Sequence, residues 1–580
     1  MGMGTGQLAN LAGALFILPF FLFSATAGQL ADKYEKSFLF QLIKLLEVGL
    51  MMLAALAFMT NSYTGLFIVL FLMGCQSTLF GPVKYSYLPQ QLTDDELIGG
   101  NGLVESGTYM AIIFGLIAGI VAVSTDGADQ AVIASLLIAV ALLGYLASRQ
   151  IPATAAVDPN LKLNWNLWSE TWQIVAFARR DKSVFLSILG ISWFWFFGSV
   201  VTLQIPAYTV DILHGNKQIA TALLVVFAVG VGVGSLLCER MSGRRVELGL
   251  VPFGSIGLSV FAIDLYFAQP GASLSAANGL MAFISRPGSV HILADLALLG
   301  GFGGFYSVPL YAMVQQRADR RYLSRVIAAN NILNALFMVA AAGLAIAILN
   351  TGLSIPQMFI ILAILNALVA VYIYTLLPEF LIRFVVWILI NLFYRIHSSG
   401  ADHIPDTGPA VVVCNHVSFA DALILGGSIR RPVRFVMYYR IFQIPILNFL
   451  FRTAKAIPIA SAKENETLLK TAFARIDIEL KKGNIVCIYP EGAITGDGNV
   501  DVFRNGVEKI IARRPVPVVP VGISGLWGSW FSRRTNGRLR RLPGRLFARV
   551  DIRIGKPVSP AEVRADALQM LVRTLRGNQR

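Results

Sequence analysis

The sequence is poor in charged residues and in cysteine. Only 14% of its 580 residues are charged and 56% are hydrophobic, whereas soluble globular proteins average about 25% charged residues. This composition excludes disordered, collagen-like and disulfide-stapled chains and shows that most of the chain is not built for water. Four widely spaced cysteines form no C-x-x-C zinc or redox pattern. They are predicted to be buried thiols: Cys75, Cys238, Cys414 and Cys487.

The formal net charge of +15 comes entirely from the last third of the chain. Residues 1–378 carry 18 basic and 18 acidic side chains, whereas residues 379–580 carry 30 basic and 15 acidic ones. The chain therefore divides into a neutral apolar part and a basic polar part.

The apolar part contains repeated hydrophobic stretches near 20 residues, each long enough for a helix to cross roughly 30 Å of hydrocarbon. The pattern predicts eleven membrane spans, near residues 8–30, 37–60, 64–82, 101–124, 131–148, 184–206, 218–238, 247–268, 288–313, 326–349 and 355–377. The first stretch is not a signal peptide, because it lacks a basic segment in front and ten more spans follow it.

Basic residues collect in every second loop, which sets the orientation of the spans. Lys and Arg follow the first, third, fifth, seventh and ninth spans, while the intervening loops, such as NSYTG and STDGADQ, are neutral or acidic. Because cytoplasmic loops are enriched in Lys and Arg, the odd loops and the basic C-terminal part are predicted to be cytoplasmic. Met1 is then outside.

Two of the basic loops have related sequences. GQLADKYEK, at 28–36, returns in altered form as GSLLCERMSGRR, at 234–245. Both resemble the signature loop of the major facilitator superfamily, G-x-x-x-D-[RK]-x-G-R-[RK]. In that family the glycine allows close helix packing, and the aspartate caps or pairs with a neighbouring helix end.

The first copy matches the signature at Gly28, Asp32 and Lys33 but has Glu35 where the family has glycine. The resemblance implies a major facilitator-like all-α helical bundle. In that family the signature follows the second helix of each half, whereas here one span precedes it. We therefore expect the first helix of a twelve-helix transporter to be missing from this sequence. A complete eleven-helix protein is the alternative.

The stretch from Gly81 to Gly119 resembles the corresponding region of bacterial lysophospholipid transporters. The similarity rests on Gly81, Pro82, Lys84, Tyr85, Asn101, Gly102 and Glu105. Ionisable groups inside a membrane are costly and are candidate functional residues, so Asp32, Lys84 and Glu105 are the transport candidates. Lys44, Glu47, Asp264 and Asp295 are weighed with them. For all of these, pairing or capping near the membrane surface is the alternative.

Residues 379–398 are apolar but short, and Arg383 and Arg395 flank the run. A further span would carry the basic part outside, against the charge pattern. The segment is therefore predicted to be an amphipathic linker helix lying in the inner membrane interface.

From residue 399 to 580, short β-branched runs alternate with helix-like stretches. The runs are AVVVCN at 410–415, NIVCIYP at 484–490, VPVVPVGIS at 516–524 and RVDIRIG at 549–555. This alternation predicts a cytoplasmic α/β domain.

NHVSFAD, just after the first of these strands, places His416 five residues before Asp421. The aspartate can accept from one imidazole nitrogen and leave the other free as a general base. No protein nucleophile is required, because a substrate hydroxyl can take the place of the serine of a triad. The spacing alone is weak evidence.

Three further blocks follow in order: YYRIFQIPILNFLFRTAKAIPIA at 438–460, YPEGAITGDGNVDVFRNG at 489–506 and VPVVPVGISG at 516–525. Together with the His416 block they resemble the four motifs of the 1-acylglycerol-3-phosphate acyltransferase family. This resemblance implies His416 as general base, Asp421 as its orienting partner, and Glu491 with Gly492 in the acceptor site.

The same resemblance implies that Arg440, Lys455 and Arg504 face the phosphate of the acceptor. Asn415 is expected to shape the turn. The resemblance also implies acyl-ACP or acyl-CoA as the donor substrate. Neither a cofactor nor a metal is expected.

One departure bears on the acceptor. The family usually has E-G-T-R in its third block, where the arginine helps hold phosphate, whereas this chain has Glu491, Gly492, Ala493 and Ile494. Loss of the guanidinium favours a phosphodiester head group with one charge over a phosphomonoester with nearly two. Bacterial 2-acylglycerophosphoethanolamine acyltransferases resemble this variant.

The resulting hypothesis is an inner-membrane fusion that flips lysophospholipid inward and reacylates it, with lysophosphatidylethanolamine as acceptor. Its partners would be lysophospholipid, an acyl thioester and membrane lipids. Nucleic acid is not expected as a partner, because no recognition motif is present. Transport driven by ATP is not expected either, because the sequence contains no G-K-[ST] loop.

One alternative is a phosphatidate-making 1-acylglycerol-3-phosphate acyltransferase whose membrane part has another specificity. Another is a lipid exporter or drug pump with a degenerate enzyme. The arginine-rich run at 532–549 can be a solvated face, a contact for anionic lipid or a docking site for acyl carrier protein.

Overall fold

The computed structural model describes residues 5–577, with several internal gaps. The gaps are 125–129, 243–248, 269–278, 377–383, 387, 389–392, 406, 430, 432, 445–447, 449–450, 453, 530 and 533–547. The chain divides into two compact units, Met1–Leu377 and Pro378–Arg580.

The described part of the first unit is helical. The helices are α1 (Thr5–Lys33), α2 (Lys36–Met59), α3 (Tyr63–Gln91), α4 (Leu97–Ser124), α5 (Gln130–Ser148), α6 (Leu167–Ala178), α7 (Lys182–Asp211), α8 (Lys217–Met241), α9 (Leu250–Phe267), α10 (Leu280–Ile284), α11 (Ser289–Arg317), α12 (Leu323–Asn350) and α13 (Ile355–Leu376). Except for α6 and α10, all are long and apolar enough to span a membrane, which gives eleven within the described ranges. The prediction of eleven spans is confirmed.

Polar side chains begin several of these helices. Glu35 accepts hydrogen bonds from the backbone N–H groups of Ser37 and Phe38 and so caps α2, and Asp181 caps α7 in the same way. A cap satisfies donors that the first helical turn leaves unpaired. Glu35, where the signature loop has glycine, therefore has a structural role in this chain.

Two signature glycines lie where helices touch. A Cβ atom on Gly28 of α1 would lie 2.9 Å from Cβ of Ala328 on α12, and one on Gly234 of α8 would lie 2.1 Å from the carbonyl oxygen of Gly301 on α11. Small residues allow this close backbone approach. The predicted packing role of the signature glycine is confirmed at Gly28.

The second unit contains a seven-stranded sheet. Its strands are β1 (Tyr394–Ser399), β2 (Ala410–Cys414), β3 (Val433–Tyr438), β4 (Ile457–Ile459), β5 (Ile485–Ile488), β6 (Val518–Ser524) and β7 (Ala548–Ile554), in the order β1-β7-β6-β2-β5-β3-β4. Neighbouring strands are parallel except for β6 and β7. The helices are α14 (Asp421–Ser428), α15 (Glu466–Lys481), α16 (Gly506–Arg513) and α17 (Ala565–Arg576).

Both faces of this sheet are buried. Val412 and Cys414 of β2 belong to a core that includes residues of α14, whereas Val411 and Val413 pack with residues of α15, α16 and α17. Side chains alternate between the faces of a strand, so the continuous apolar run of β2 is what a strand covered on both sides requires. The α/β prediction is confirmed.

The end of the predicted linker helix is wrong. Residues 379–383, 387 and 389–392 lie outside the described residues, but Tyr394–Ser399 forms β1 rather than a helix. This strand pairs in parallel with β7, Tyr394 opposite Ala548. A short apolar run does not distinguish helix from strand, and here the free edge of β7 provides the hydrogen-bond partners that favour a strand.

Candidate active site and buried polar groups

The candidate active site lies at the carboxyl ends of parallel strands in the second unit. β2 ends two residues before His416, β5 ends three residues before Glu491, and β3 ends two residues before Arg440. Because β5 lies between β2 and β3 and all three run in the same direction, these residues share one edge of the sheet. In open α/β sheets this edge is where ligands bind.

His416 and Asp421 form the predicted pair. The imidazole Nδ1 lies 2.8 Å from Oδ2 of Asp421, and the same oxygen accepts hydrogen bonds from the N–H groups of Val417 at 2.7 Å and Ser418 at 2.9 Å. Asp421 is fully buried at the start of α14. An ionised Asp421 accepts from Nδ1–H, which leaves Nε2 with a free lone pair.

Tyr489 holds the plane of the imidazole. The two rings are stacked with their centroids 4.2 Å apart and an interplanar angle of 18°. The His416 side chain remains 22% exposed, and Nε2 has no hydrogen-bond partner among the residues that the structure describes. The imidazole of His416 is thus oriented through one nitrogen and accessible at the other.

Glu491 supports the backbone of His416. Its Oε1 accepts from the His416 N–H at 2.9 Å, and the Thr495 N–H donates to the His416 carbonyl at 2.9 Å. Burial raises the pKa of Glu491 to about 8, against the opposing effect of the hydrogen bond from His416. The loop after β5 therefore fixes the position of the loop after β2.

Gly492 and Arg504 are adjacent. Gly492 has a positive φ of +79°, and a Cβ atom there would lie 2.8 Å from Cζ of Arg504. The backbone N–H of Arg504 donates to the carbonyl of Pro490 at 3.0 Å, and the Arg504 side chain is exposed. A guanidinium therefore lies beside the E-G motif although the sequence has no arginine at position 494.

Arg440 and Lys455 are placed differently. Arg440 is at the carboxyl edge, with Nη2 2.9 Å from Oε1 of Glu464 and its side chain 60% exposed. Lys455 precedes β4, in which Ile457 lies opposite Val436 in the second half of β3. Lys455 thus lies on the amino-terminal side of β4. The structure does not bring it to the carboxyl-terminal edge of the sheet, where His416 and Arg440 lie.

Asn415 makes two hydrogen bonds to the backbone of β6. Its side-chain amide donates to the carbonyl of Ile523 at 2.9 Å and accepts from the N–H of the same residue at 2.8 Å. These two hydrogen bonds continue the pairing of β2 with β6 beyond Cys414, in agreement with the expected role in shaping the turn.

In the first unit, Asp32 of α1 pairs with Arg325 of α12. Its Oδ2 lies 2.8 Å from Nε of Arg325, and Asp32 is fully buried. The pair joins helices that are nearly 300 residues apart in sequence, beside the contact of Gly28 with α12. Asp32 therefore has the pairing role that the signature resemblance implied.

Lys84 and Glu105 meet at the aromatic ring of Tyr85. The Lys84 ammonium lies 4.5 Å from the ring centroid and 3.4 Å from Oγ1 of Thr108, and the Tyr85 hydroxyl donates to buried Glu105. The ring of Tyr85 also stacks on Tyr311 of α11 at 4.6 Å. The two transport candidates thus belong to one polar cluster between α3, α4 and α11.

Two further sequence predictions can be compared with the structure. Lys44 and Glu47 form an ion pair at 2.7 Å, and Gln76 donates to the same carboxylate at 2.8 Å, so the pairing alternative holds there. All four cysteines are free. Three are buried as predicted, but Cys75 on α3 is only partly buried because part of that helix's surface is not covered by protein.

Sequence reasoning missed Tyr489, Thr495 and Arg325. Tyr489 and Thr495 flank Glu491 within an already recognised block, and that proximity was the available signal. Arg325 was counted only as a basic loop residue. Nothing in the sequence connects it to Asp32.

Comparisons with known proteins agree with this architecture. The profile of the Major Facilitator Superfamily matches residues 3–285, and the profile of the Acyltransferase family matches residues 395–524. The lysophospholipid transporter LplT of Enterobacter sp. (strain 638) is 30% identical over 312 residues, which are 52% of this chain and 70% of that protein.

Two solved structures are similar to separate parts of the chain. The human organic anion transporter MFSD10 is 14% identical and covers 63% of this chain and 83% of its own, with a TM-score of 0.51, which shows a shared fold. The 1-acyl-sn-glycerophosphate acyltransferase PlsC of Thermotoga maritima is 24% identical and covers 35% of this chain and 78% of its own, with a TM-score of 0.28. The assignment of the second unit rests on the family profile.

Structure and comparisons lead to the same assignment. It is supported by the helical bundle with its signature glycine and aspartate, by the His416–Asp421 pair and by the matching profiles. The chain belongs to the lysophospholipid transporter family of the major facilitator superfamily and is a fusion of that transporter with an acyltransferase domain.

Proposed function

We propose that the first unit moves lysophospholipid across the inner membrane and that the second unit reacylates it on the cytoplasmic side. Acyl transfer is from an acyl thioester to the free hydroxyl of a lysophospholipid. The observation that carries the enzymatic part is the geometry of His416, with Nδ1 held 2.8 Å from Asp421 and Nε2 accessible.

In the proposed mechanism, Nε2 of His416 takes the proton of the acceptor hydroxyl as its oxygen attacks the carbonyl carbon of the thioester. Asp421 stabilises the imidazolium that forms. The tetrahedral intermediate then collapses, the carbon–sulfur bond breaks, and the thiolate leaves. The imidazolium proton goes to the thiolate, which gives the free thiol of acyl carrier protein or coenzyme A and returns His416 to its starting state.

The acceptor is proposed to be lysophosphatidylethanolamine. Ile494 stands where the related family has an arginine, so one cationic contact to phosphate is lost. Arg504 beside Gly492 and Arg440 at the same edge of the sheet are left to contact a head group with a single phosphate charge. Arg440 would exchange its ion pair with Glu464 for the phosphate, which its exposed position allows.

The transport proposal rests on the 30% identity to LplT and on the buried polar groups of the bundle. The Lys84–Tyr85–Glu105 cluster offers both charges to a zwitterionic head group inside an apolar unit. The alternation of basic loops supports a cytoplasmic position for the second unit, since Lys and Arg are enriched on that side.

The direct test measures acyl transfer and uptake in the same preparation. Purified full-length protein in lipid vesicles is supplied with labelled lysophosphatidylethanolamine and either acyl-ACP or acyl-CoA. His416→Ala is expected to abolish acyl transfer, a loss of at least about 10³-fold, while lipid uptake stays measurable. Unchanged acyl transfer in His416→Ala would exclude this site. A pump with a degenerate enzyme predicts no acyl transfer by the wild type.

Acceptor preference distinguishes the rival substrate. A higher kcat/KM for lysophosphatidylethanolamine than for 1-acylglycerol-3-phosphate supports the proposal. The reverse order would identify the second unit as a phosphatidate-making enzyme. The position of Arg504 beside Gly492 favours this alternative, because it places a guanidinium next to the E-G motif. Ile494→Arg is expected to shift the preference toward the phosphomonoester.

A further inference from the structure

Three side chains that the proposed reaction does not use meet where α9 ends and α11 begins. Asp264 is near the end of α9, and His291 and Asp295 are one helical turn apart near the start of α11. Residues four apart on a helix share one face. One oxygen or nitrogen atom from each of these three residues lies within 4.8 Å of the other two. The cluster of Asp264, His291 and Asp295 is called the α9–α11 triad below.

We propose that the α9–α11 triad binds a divalent transition-metal ion. The imidazole Nε2 of His291 lies 3.1 Å from Oδ2 of Asp264 and 3.5 Å from Oδ2 of Asp295. Zinc bonds to nitrogen and oxygen ligands are about 2.0–2.2 Å long, which places neighbouring ligands of a tetrahedral ion about 3.3 Å apart. Two of the three separations therefore already fit a bound ion, which would lie among the three atoms.

Asp295 supplies the independent reason to expect a cation. It is only 2% exposed, and its Oδ2, the atom that faces His291, makes no hydrogen bond with the described residues. A buried carboxylate oxygen without a hydrogen bond is costly. A metal ion coordinated by that oxygen would remove this cost, whereas the His291 ring, 3.5 Å away, makes no hydrogen bond to it.

The composition of the triad favours a transition metal. One imidazole and two carboxylates combine the ligands preferred by zinc and by manganese, whereas calcium and magnesium sites are built from oxygen alone. With a neutral imidazole and both carboxylates ionised, the three side chains carry a charge of −2, which a divalent ion neutralises. Asp264 and His291 are 40% and 48% exposed, so an ion can reach the triad.

The position of the triad indicates what the ion would do. It lies at the end of α11 opposite Arg317, the basic residue that closes this helix. A bound ion would tie the end of α9 to the start of α11 and would hold these two helices together on the side away from the basic loops. The triad lies within the first unit and shares no residue with the Lys84–Tyr85–Glu105 cluster.

The test is metal binding by the full-length protein in detergent micelles, after removal of any histidine tag and treatment with EDTA. Zn²⁺ and Mn²⁺ are titrated by calorimetry, and bound metal is counted by mass spectrometry after dialysis. One ion of Zn²⁺ or Mn²⁺ per chain is expected. Removing a ligand should weaken binding by roughly 100-fold or more, since even outer-sphere changes cost 10–100-fold.

Three variants make the test specific. Asp264→Asn and Asp295→Asn each remove one ligand, and the first is the safer for folding because Asp264 is partly exposed. His214→Asn is the matched control, since it removes an exposed histidine from the loop after α7, where φ is +49° and asparagine is tolerated.

Stoichiometric binding that both triad variants lose and the control keeps supports the proposal. Wild-type protein that retains no metal would overturn it, as would equal binding by the triad variants. If the control weakens binding as much as the triad variants do, the metal is held by surface histidines and the proposal is also overturned.

Discussion

The two units each bury an aspartate side chain, but they satisfy its hydrogen-bonding capacity in different ways. In the helical unit, Asp32 pairs with Arg325, a side chain from another helix. In the α/β unit, Asp421 accepts from the imidazole of His416 and from two backbone N–H groups in the same loop. One acid joins distant parts of the chain, whereas the other is held within six residues.

The difference follows from where free backbone donors exist. In a membrane helix nearly all N–H groups are used by the helix itself, so a buried acid depends on side chains of neighbouring helices, such as Arg325 for Asp32 and the Tyr85 hydroxyl for Glu105. A loop at the end of a strand has unpaired N–H groups, and these can hold an acid while it orients an imidazole. Pairing in the first unit therefore fixes helix packing, and pairing in the second fixes the orientation of His416.

Removing the partner of Asp32 should have the largest effect on stability. Arg325→Ala leaves a buried carboxylate unpaired, and we expect a loss of about 3–5 kcal/mol in the stability of the helical unit. The measurement is thermal unfolding of the full-length protein in detergent, followed by loss of the monodisperse peak. The double variant with Asp32→Asn should recover part of the loss.

The control is Arg320→Ala, which removes a mostly exposed ion pair with Asp94 at 3.4 Å. Exposed pairs contribute little, so this variant should unfold like the wild type. Equal effects of Arg320→Ala and Arg325→Ala would show that burial of the Asp32 pair has no energetic consequence.

Asp421→Asn should affect chemistry more than stability. The asparagine oxygen can take the place of Oδ2 and still accept from Nδ1–H and from the N–H groups of Val417 and Ser418, but the neutral amide no longer stabilises the imidazolium that forms in the reaction. We expect kcat to fall by about 10²–10³-fold with little change in KM. Asp477→Asn, which removes a surface pair with Arg514, is the control. A loss below about 10-fold would contradict stabilisation of the imidazolium by the charge of Asp421.

Tyr85→Phe should have a smaller effect, confined to the helical unit. The change removes the hydroxyl that donates to Glu105 and leaves a buried carboxylate with one donor fewer, at a cost of about 1–3 kcal/mol. Uptake of labelled lysophospholipid should fall while acyl transfer in detergent is unchanged. Tyr87→Phe is matched to it, because the Tyr87 hydroxyl donates to the carbonyl of Pro152 at an exposed site. Its uptake should equal that of the wild type.

Glu491 gives the smallest expected effect, a dependence of stability on pH. Burial raises its pKa from 4.5 to about 8, so between these values the folded protein keeps a proton that the unfolded chain has released. Rising pH therefore favours unfolding in this window, by roughly 1 kcal/mol per pH unit, and the effect ends above about pH 8.

Glu491→Gln should remove this dependence, since glutamine can still accept from the His416 N–H but does not ionise. The measurement is thermal unfolding of the second unit within the full-length protein at pH 6 and pH 7, for the wild type and the variant. Identical pH dependence in the two proteins would show that Glu491 is ionised throughout.

Much of this architecture was predictable from sequence because its signals are local. Eleven apolar stretches are recognisable by length, since the thickness of hydrocarbon sets the length of a span. The His416–Asp421 pair was predictable because the two residues are five positions apart and three further motif blocks follow them in order. Short β-branched runs likewise indicated the α/β unit, since their periodicity is a property of neighbouring residues.

Other features required the tertiary structure. β1 was predicted as the end of a helix and became a strand because β7, about 150 residues later, offers it an edge. Arg504 lies beside Gly492, whereas Lys455 lies on the amino-terminal side of β4. Their sequence positions alone did not show which of the two is near the E-G motif.

Sequence by itself thus determined the two units, the spans and the His416–Asp421 pair. Only the tertiary structure decided that Asp32 pairs with Arg325, that Thr495 and Glu491 hold the backbone of His416, and that Asp264 meets His291 and Asp295. The physical reason is that composition and periodicity act over a few residues, whereas a buried charge is satisfied by whichever group the packed fold brings within about 3 Å.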